Sequence, residues 1–203
     1  MYVGNERGIT GVDIGQPQIR ERIADECARL VGDGFDGIHL DYEMCSDGDT
    51  DFLRLLDAIR TRISNHPLSI ATPMWLPSPL GAYGWSEGYF AKIAARSDQI
   101  VVMAYDSGLY FPRHYAWLLR QQCWRVPQAA QKTSCRVLIG VPSYEDGGLS
   151  HHPHAENLRV ALRAVREGLV DNPDANRVDG VALFADYSTD SSKWEQWRTL
   201  WRR

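Results

Sequence analysis

Short apolar, β-branched runs alternate with segments of helical period along the whole chain, and this alternation restricts the fold more than any other feature. A short strand, an amphipathic helix and a further short strand, repeated, form the pattern of βα units on a parallel sheet. Strands are predicted at Tyr2–Gly4, Gly37–Tyr42, Leu68–Thr72, Ile100–Tyr105, Val137–Val141 and Val181–Ala185. Six such units occupy about 34 residues each, the size of a strand with its crossover helix.

The helices between them carry clearer marks. Pro17 sits at a first helical position, and Ile19, Ile23, Cys27 and Leu30 follow on one face. A second helix begins at Asp51 and turns Leu55, Leu56, Ile59 and Ile63 inward. Trp85–Ala95 is shorter, and His114–Trp124 carries Leu118 and Leu119. Ala155–Leu169 buries Leu158, Leu162, Val165 and Leu169, and Ser191–Arg202 aligns Trp194, Trp197 and Trp201. No low-complexity stretch or long Pro/Gly/Ser linker divides the chain, so residues 1–203 read as a single α/β domain.

Composition removes several function classes. The 203 residues are 44% hydrophobic and 24% charged, with a formal net charge of −4. That balance argues against a nucleic-acid or anionic-membrane binder working through a basic face. No apolar run approaches the roughly 20 residues of a membrane span. No basic region followed by an apolar run stands at Met1–Arg7, so no signal peptide is read there, and the compartment stays open. Cys27, Cys45, Cys123 and Cys135 lack Cys-x-x-Cys spacing, which argues against a zinc knuckle. Cys123 and Cys135 are close enough in sequence to close a small loop by disulfide, but spacing alone does not establish the Cβ geometry.

The chemistry concentrates in Phe35-Asp36-Gly37-Ile38-His39-Leu40-Asp41-Tyr42-Glu43. On a strand, Gly37, His39, Asp41 and Glu43 share one face, and Ile38, Leu40 and Tyr42 share the other. Ionisable groups on a buried strand face are expensive without a use. Glu43 falls at the strand's C-terminal end, where barrels of parallel strands place catalytic groups. An ionised carboxylate two residues away on the same face raises the pKa of its neighbour, which keeps a glutamic acid protonated near neutral pH.

This segment resembles the Asp-Gly-x-Asp-x-Asp-x-Glu signature of glycoside hydrolase family 18, the chitinase and endo-N-acetylglucosaminidase family. Asp36, Gly37, Asp41 and Glu43 match, and His39 stands where the family usually has its middle aspartate. Met103-Ala104-Tyr105-Asp106 resembles the family's Met-x-Tyr-Asp strand, and Gly140-Val141-Pro142-Ser143-Tyr144 resembles its Gly-x-Pro-x-Tyr strand. Gly180-Val181-Ala182-Leu183-Phe184 resembles the last strand, with Phe184 in place of the usual tryptophan. The resemblance implies a (β/α)8 TIM-type barrel of which six units are present, strands three to eight, with the first two lacking. Barrels of this type usually need roughly 250 residues.

The resemblance also implies a substrate-assisted, retaining hydrolysis of a glycan containing N-acetylhexosamine, an exception to the two-carboxylate scheme. The substrate's N-acetyl oxygen attacks the anomeric carbon. Glu43 protonates the leaving oxygen and then activates water, Asp41 holds the acetamide N–H, and Tyr105 donates to the acetamide oxygen. Asp106 and Tyr144 line the sugar subsite, Phe184 is its stacking floor, and His39 supports Asp41. No cofactor or metal is implied, and the partner is the glycan.

Trp75, Tyr83 and Trp85 follow the Leu68–Thr72 strand and are read either as a sugar-stacking rim or as loop packing. His151, His152 and His154 are read as a solvated loop, because two adjacent histidines and one across a proline present no single face for ligation. Two other function classes compete with the hydrolase. One is a carbohydrate-binding protein that kept the cleft and lost turnover, against which Glu43 counts. The other is a metal-dependent hydrolase using His39, Asp41 and the histidine loop.

Overall fold

The computed structural model describes residues 2–6, 12–43, 45–77 and 84–201. Strands and helices alternate: β1 (Tyr2–Glu6), α1 (Pro17–Gly32), β2 (Ile38–Glu43), α2 (Thr50–Ile63), β3 (Leu68–Thr72), α3 (Glu87–Ala94), β4 (Gln99–Val102), α4 (Pro112–Ala129), β5 (Arg136–Pro142), α5 (Leu158–Leu169), β6 (Val178–Phe184) and α6 (Ser191–Trp201). Every predicted strand and helix has its counterpart; Leu68–Thr72 keeps its predicted bounds and the others have shifted ends. No helix among the described residues is long and apolar enough to cross a membrane. Contacts gather the chain into two units, Met1–Val101 with Ala129–Arg136, and Val102–Gln128 with Val137–Arg203.

In the first unit β1 pairs with β2 and β2 with β3, both in parallel. The helix starts follow from their caps. Asp49 accepts the backbone N–H groups of Asp51 and Phe52 at 2.8 and 3.1 Å, so α2 begins at Thr50. Ser86 caps α3 in the same way, which is why that helix opens at Glu87 and leaves Trp85 outside it. The inner face of α2, Phe52, Leu55, Leu56, Ile59 and Ile63, is fully buried. Against α1, Arg62 of α2 reaches Glu21 and, at 2.5 Å, Asp25.

In the second unit β5 and β6 run in parallel, Ile139 opposite Val181 and Pro142 opposite Phe184. Helix α5 begins at Leu158, three residues later than predicted, because Asn157 accepts from the Val160 N–H at 3.1 Å. Helix α4 runs on to Ala129, past the predicted end at Trp124, although Pro127 lies inside it. Proline has no N–H, so the carbonyl of Cys123, one turn earlier, loses its helical donor. The side chain of buried Asn172 replaces it, donating to that carbonyl at 2.7 Å. Asn172→Ala therefore orphans a buried carbonyl and should destabilise the fold by about 1–3 kcal/mol. Urea denaturation measures this, and a change within about 0.5 kcal/mol, the range of an ordinary surface substitution, would remove Asn172 from the role.

The prediction that the fourth strand extends to Tyr105 is corrected. Strand β4 stops at Val102, and the Ala104 carbonyl takes the hydroxyl of buried Tyr115 at 2.7 Å in place of a strand partner. The four cysteines are buried free thiols, so Cys123 and Cys135 are not joined by a disulfide. Burial pushes the Cys27 thiol up to about 11 and that of Cys123 to about 12. No residue of α6 is buried, and Trp194 is 38% exposed.

Candidate active site

Strand β2 sorts its residues as strand parity requires. Ile38, Leu40 and Tyr42 are buried, and Tyr42 stacks on Phe52 of α2 with ring centroids 5.9 Å apart. The opposite face carries His39, Asp41 and Glu43. Glycine at position 37 follows from the backbone crossing beneath it. A Cβ there would lie 2.5 Å from the Pro67 carbonyl, which accepts the Ile38 N–H at 2.9 Å.

The polar face is networked. Ser69 of β3 donates its one hydroxyl hydrogen to Gln99 Oε1 at 3.0 Å, so the 2.9 Å contact between Ser69 and His39 has His39 Nδ1 as the donor. Burial pulls the His39 pKa below the usual histidine value, against the opposing charge of Asp41. At neutral pH the ring is therefore uncharged, with Nε2 as its acceptor. Asp41 is 8% exposed, and Glu43 is half-buried at the strand's C-terminal end.

The second unit brings Tyr105, Asp106, Tyr144 and Phe184 together. Phe184 ends β6, and its exposed ring stacks on Tyr105 at 4.9 Å and 10°. Tyr144 meets both rings edge-on, at 6.3 Å from Tyr105 and 5.9 Å from Phe184. Its hydroxyl donates to Asp106 Oδ1 at 2.5 Å, and burial together with this bond drives its pKa well above the usual tyrosine value. Asp106 sits in the left-handed region at φ 56°, which aspartate tolerates better than most residues. Gly140 makes room for Tyr105, because a Cβ at 140 would lie 2.6 Å from the Val102 carbonyl and 3.1 Å from the tyrosine ring.

Of the two readings open for Trp85, packing holds and an exposed rim does not. Trp85 is 1% exposed, donates its indole N–H to the Cys45 carbonyl at 2.9 Å, and packs against Tyr89 and Phe90 at 4.8 and 5.6 Å. Trp75 is half-buried and bridged to Trp85, and Tyr83 lies outside the described residues. His151 is not solvated either. It is 3% exposed and faces the carboxylates of Asp106 and Glu156. Glu156, fully buried, carried no sequence signal, since it stands alone just before α5.

No family model matches the chain, and no curated protein matches it. Solved structures do. A chitinase from Rhizomucor miehei (RmChi1) superposes with a TM-score of 0.60 at 14% identity, over 98% of this chain and 81% of that one. A class V chitinase from Pseudomonas fluorescens Pf-5 gives 0.62 at 15% identity, over 92% and 73%. The spore cortex-lytic enzyme SleL of Bacillus megaterium gives 0.62 at 12% identity, with 93% of this chain matched to 55% of that enzyme's length. The chain therefore has a chitinase-like α/β fold, an incomplete barrel of the TIM type.

Proposed function

We propose that this chain is a glycoside hydrolase of the family 18 type, its 203 residues acting as one glycosidase-like domain on a glycan built with N-acetylhexosamine. The observation that carries the reading is β2: a buried Asp41 two residues before a half-buried Glu43, on the polar face of a strand whose other face is sealed by helix packing. The chitinase-like fold supports it.

In this reading Glu43 donates a proton to the leaving glycosidic oxygen while the substrate's own acetamide oxygen closes on the anomeric carbon. Asp41 accepts the acetamide N–H and stabilises the positive charge of the cyclic intermediate. The neutral ring of His39 stands where a carboxylate usually does, so no further negative charge competes with Asp41. Tyr105 donates to the acetamide oxygen, Asp106 and Tyr144 hold sugar hydroxyls, Phe184 supplies an apolar floor, and Trp75 adds a stacking surface. Water, deprotonated by Glu43, then opens the intermediate with retention.

The test compares a chitin oligosaccharide with its fully deacetylated counterpart. Cleavage of the acetylated substrate alone is expected. Equal cleavage of both would refute substrate assistance. Oligosaccharide binding with no cleavage would replace the hydrolase by a carbohydrate-binding protein.

A further inference from the structure

We propose that Asp106, His151 and Glu156 bind one divalent transition-metal ion, with Zn2+ preferred. Each offers one ligand atom, and the three atoms lie within 4.8 Å of one another. His151 Nδ1 is central, 3.3 Å from Asp106 Oδ1 and 3.6 Å from Glu156 Oε2. Ligands bound at about 2.1 Å and separated by the tetrahedral angle are about 3.4 Å apart, so both separations suit a shared ion.

The histidine supplies the independent sign of a ligand. It is 3% exposed, yet neither ring nitrogen makes a hydrogen bond among the described residues. An oxygen 3.3 Å from Nδ1 that makes no hydrogen bond with it lies off the line along which the ring nitrogen points. An ion on that line would place carboxylate oxygens to its sides. Glu156 is fully buried, and among the described residues no lysine or arginine lies within ion-pair distance of it. A buried carboxylate of this kind calls for a cation.

The surroundings fit a metal site. Ser107 fixes Glu156 from outside, its hydroxyl donating to Oε1 at 2.8 Å and its N–H to Oε2 at 3.1 Å. Tyr144 does the same for Asp106. Hydrogen bonds to ligating carboxylates orient them toward the ion. The side chain of Asp106 is 46% exposed, which gives an ion an entry path and room for water as a fourth ligand. One imidazole with two carboxylates suits Zn2+, and Mn2+ more weakly. The site uses neither His39 nor Asp41, so it differs from the metal-hydrolase alternative raised by the sequence. It shares Asp106 with the proposed sugar subsite, and its test reads metal occupancy, so the two proposals fail separately.

Tag-free protein is dialysed against graded ZnCl2, and against MnCl2, in a non-chelating buffer, and bound metal is measured by elemental analysis. The expected result is one saturable Zn2+ per chain, bound more tightly than Mn2+. Loss of an outer-shell partner alone weakens a metal site 10–100-fold, so loss of a ligand, in His151→Ala or Glu156→Gln, should weaken it at least about 100-fold. A His152→Ala/His154→Ala double variant should bind as the parent does. Circular dichroism checks folding. If either core variant fails to fold, Asp106→Asn, at the exposed ligand, carries the test and should lose the same site. The proposal is overturned if no saturable Zn2+ binds, leaving only an ion pair between His151 and its carboxylates. It is equally overturned if binding survives loss of a ligand or disappears with His152 and His154.

Discussion

Glu43→Gln should lower kcat on a chitin oligosaccharide by roughly 10²–10⁴-fold, the usual contribution of a general acid–base, with little change in affinity. The amide keeps the shape and the hydrogen-bonding reach of the acid but has no proton to give to the leaving oxygen. The loss thus falls on the chemical step and not on binding. Asp41→Asn should reduce turnover comparably, because a neutral amide cannot balance the charge on the cyclised intermediate. His39→Asp restores the carboxylate usual in the family and should preserve or raise activity. Steady-state kinetics on the three variants separates the roles. Unchanged turnover in Glu43→Gln removes Glu43 as the acid.

The alternation of strand and helix was legible because each strand is short and each helix has one apolar stripe, so local pattern and tertiary burial agree. The parity of β2 was legible for the same reason: Ile38, Leu40 and Tyr42 are buried, as the period of two requires. What failed depended on partners distant in sequence. The Ile100–Tyr105 run reads as one strand, but a hydroxyl eleven residues on takes the Ala104 carbonyl and ends the ladder early. The extension of α4 past Trp124 rests on Asn172, 49 residues from the carbonyl it satisfies. From its immediate neighbours in sequence His151 shows no ligand face. The carboxylates that face it come from Asp106, forty-five positions earlier, and from Glu156, which no motif marks. Sequence spacing reads one element well, and a site assembled from loops leaves little trace in it.

Trp85 reads from its neighbours in sequence as either a sugar-stacking residue or a packed one, and its substitution separates the two readings. A sugar-stacking tryptophan replaced by alanine weakens glycan binding and leaves the fold intact. A core tryptophan does the reverse. The Trp85 ring is surrounded by Tyr89, Phe90 and, at 5.9 Å, Phe52, and its indole N–H satisfies the Cys45 carbonyl. Trp85→Ala removes that packing, leaves a cavity that α3 cannot close alone, and orphans a buried carbonyl. Large-to-small changes of this kind cost about 3–5 kcal/mol. In a chain of this size that corresponds to a fall in Tm of roughly 6–20 °C, at about 2–4 °C per kcal/mol. Trp85→Phe should recover part of the loss, since it restores ring volume but not the hydrogen bond. Calorimetry on both variants checks the order parent, Phe, Ala. An unchanged Tm with weakened oligosaccharide binding would return Trp85 to the surface of a sugar site.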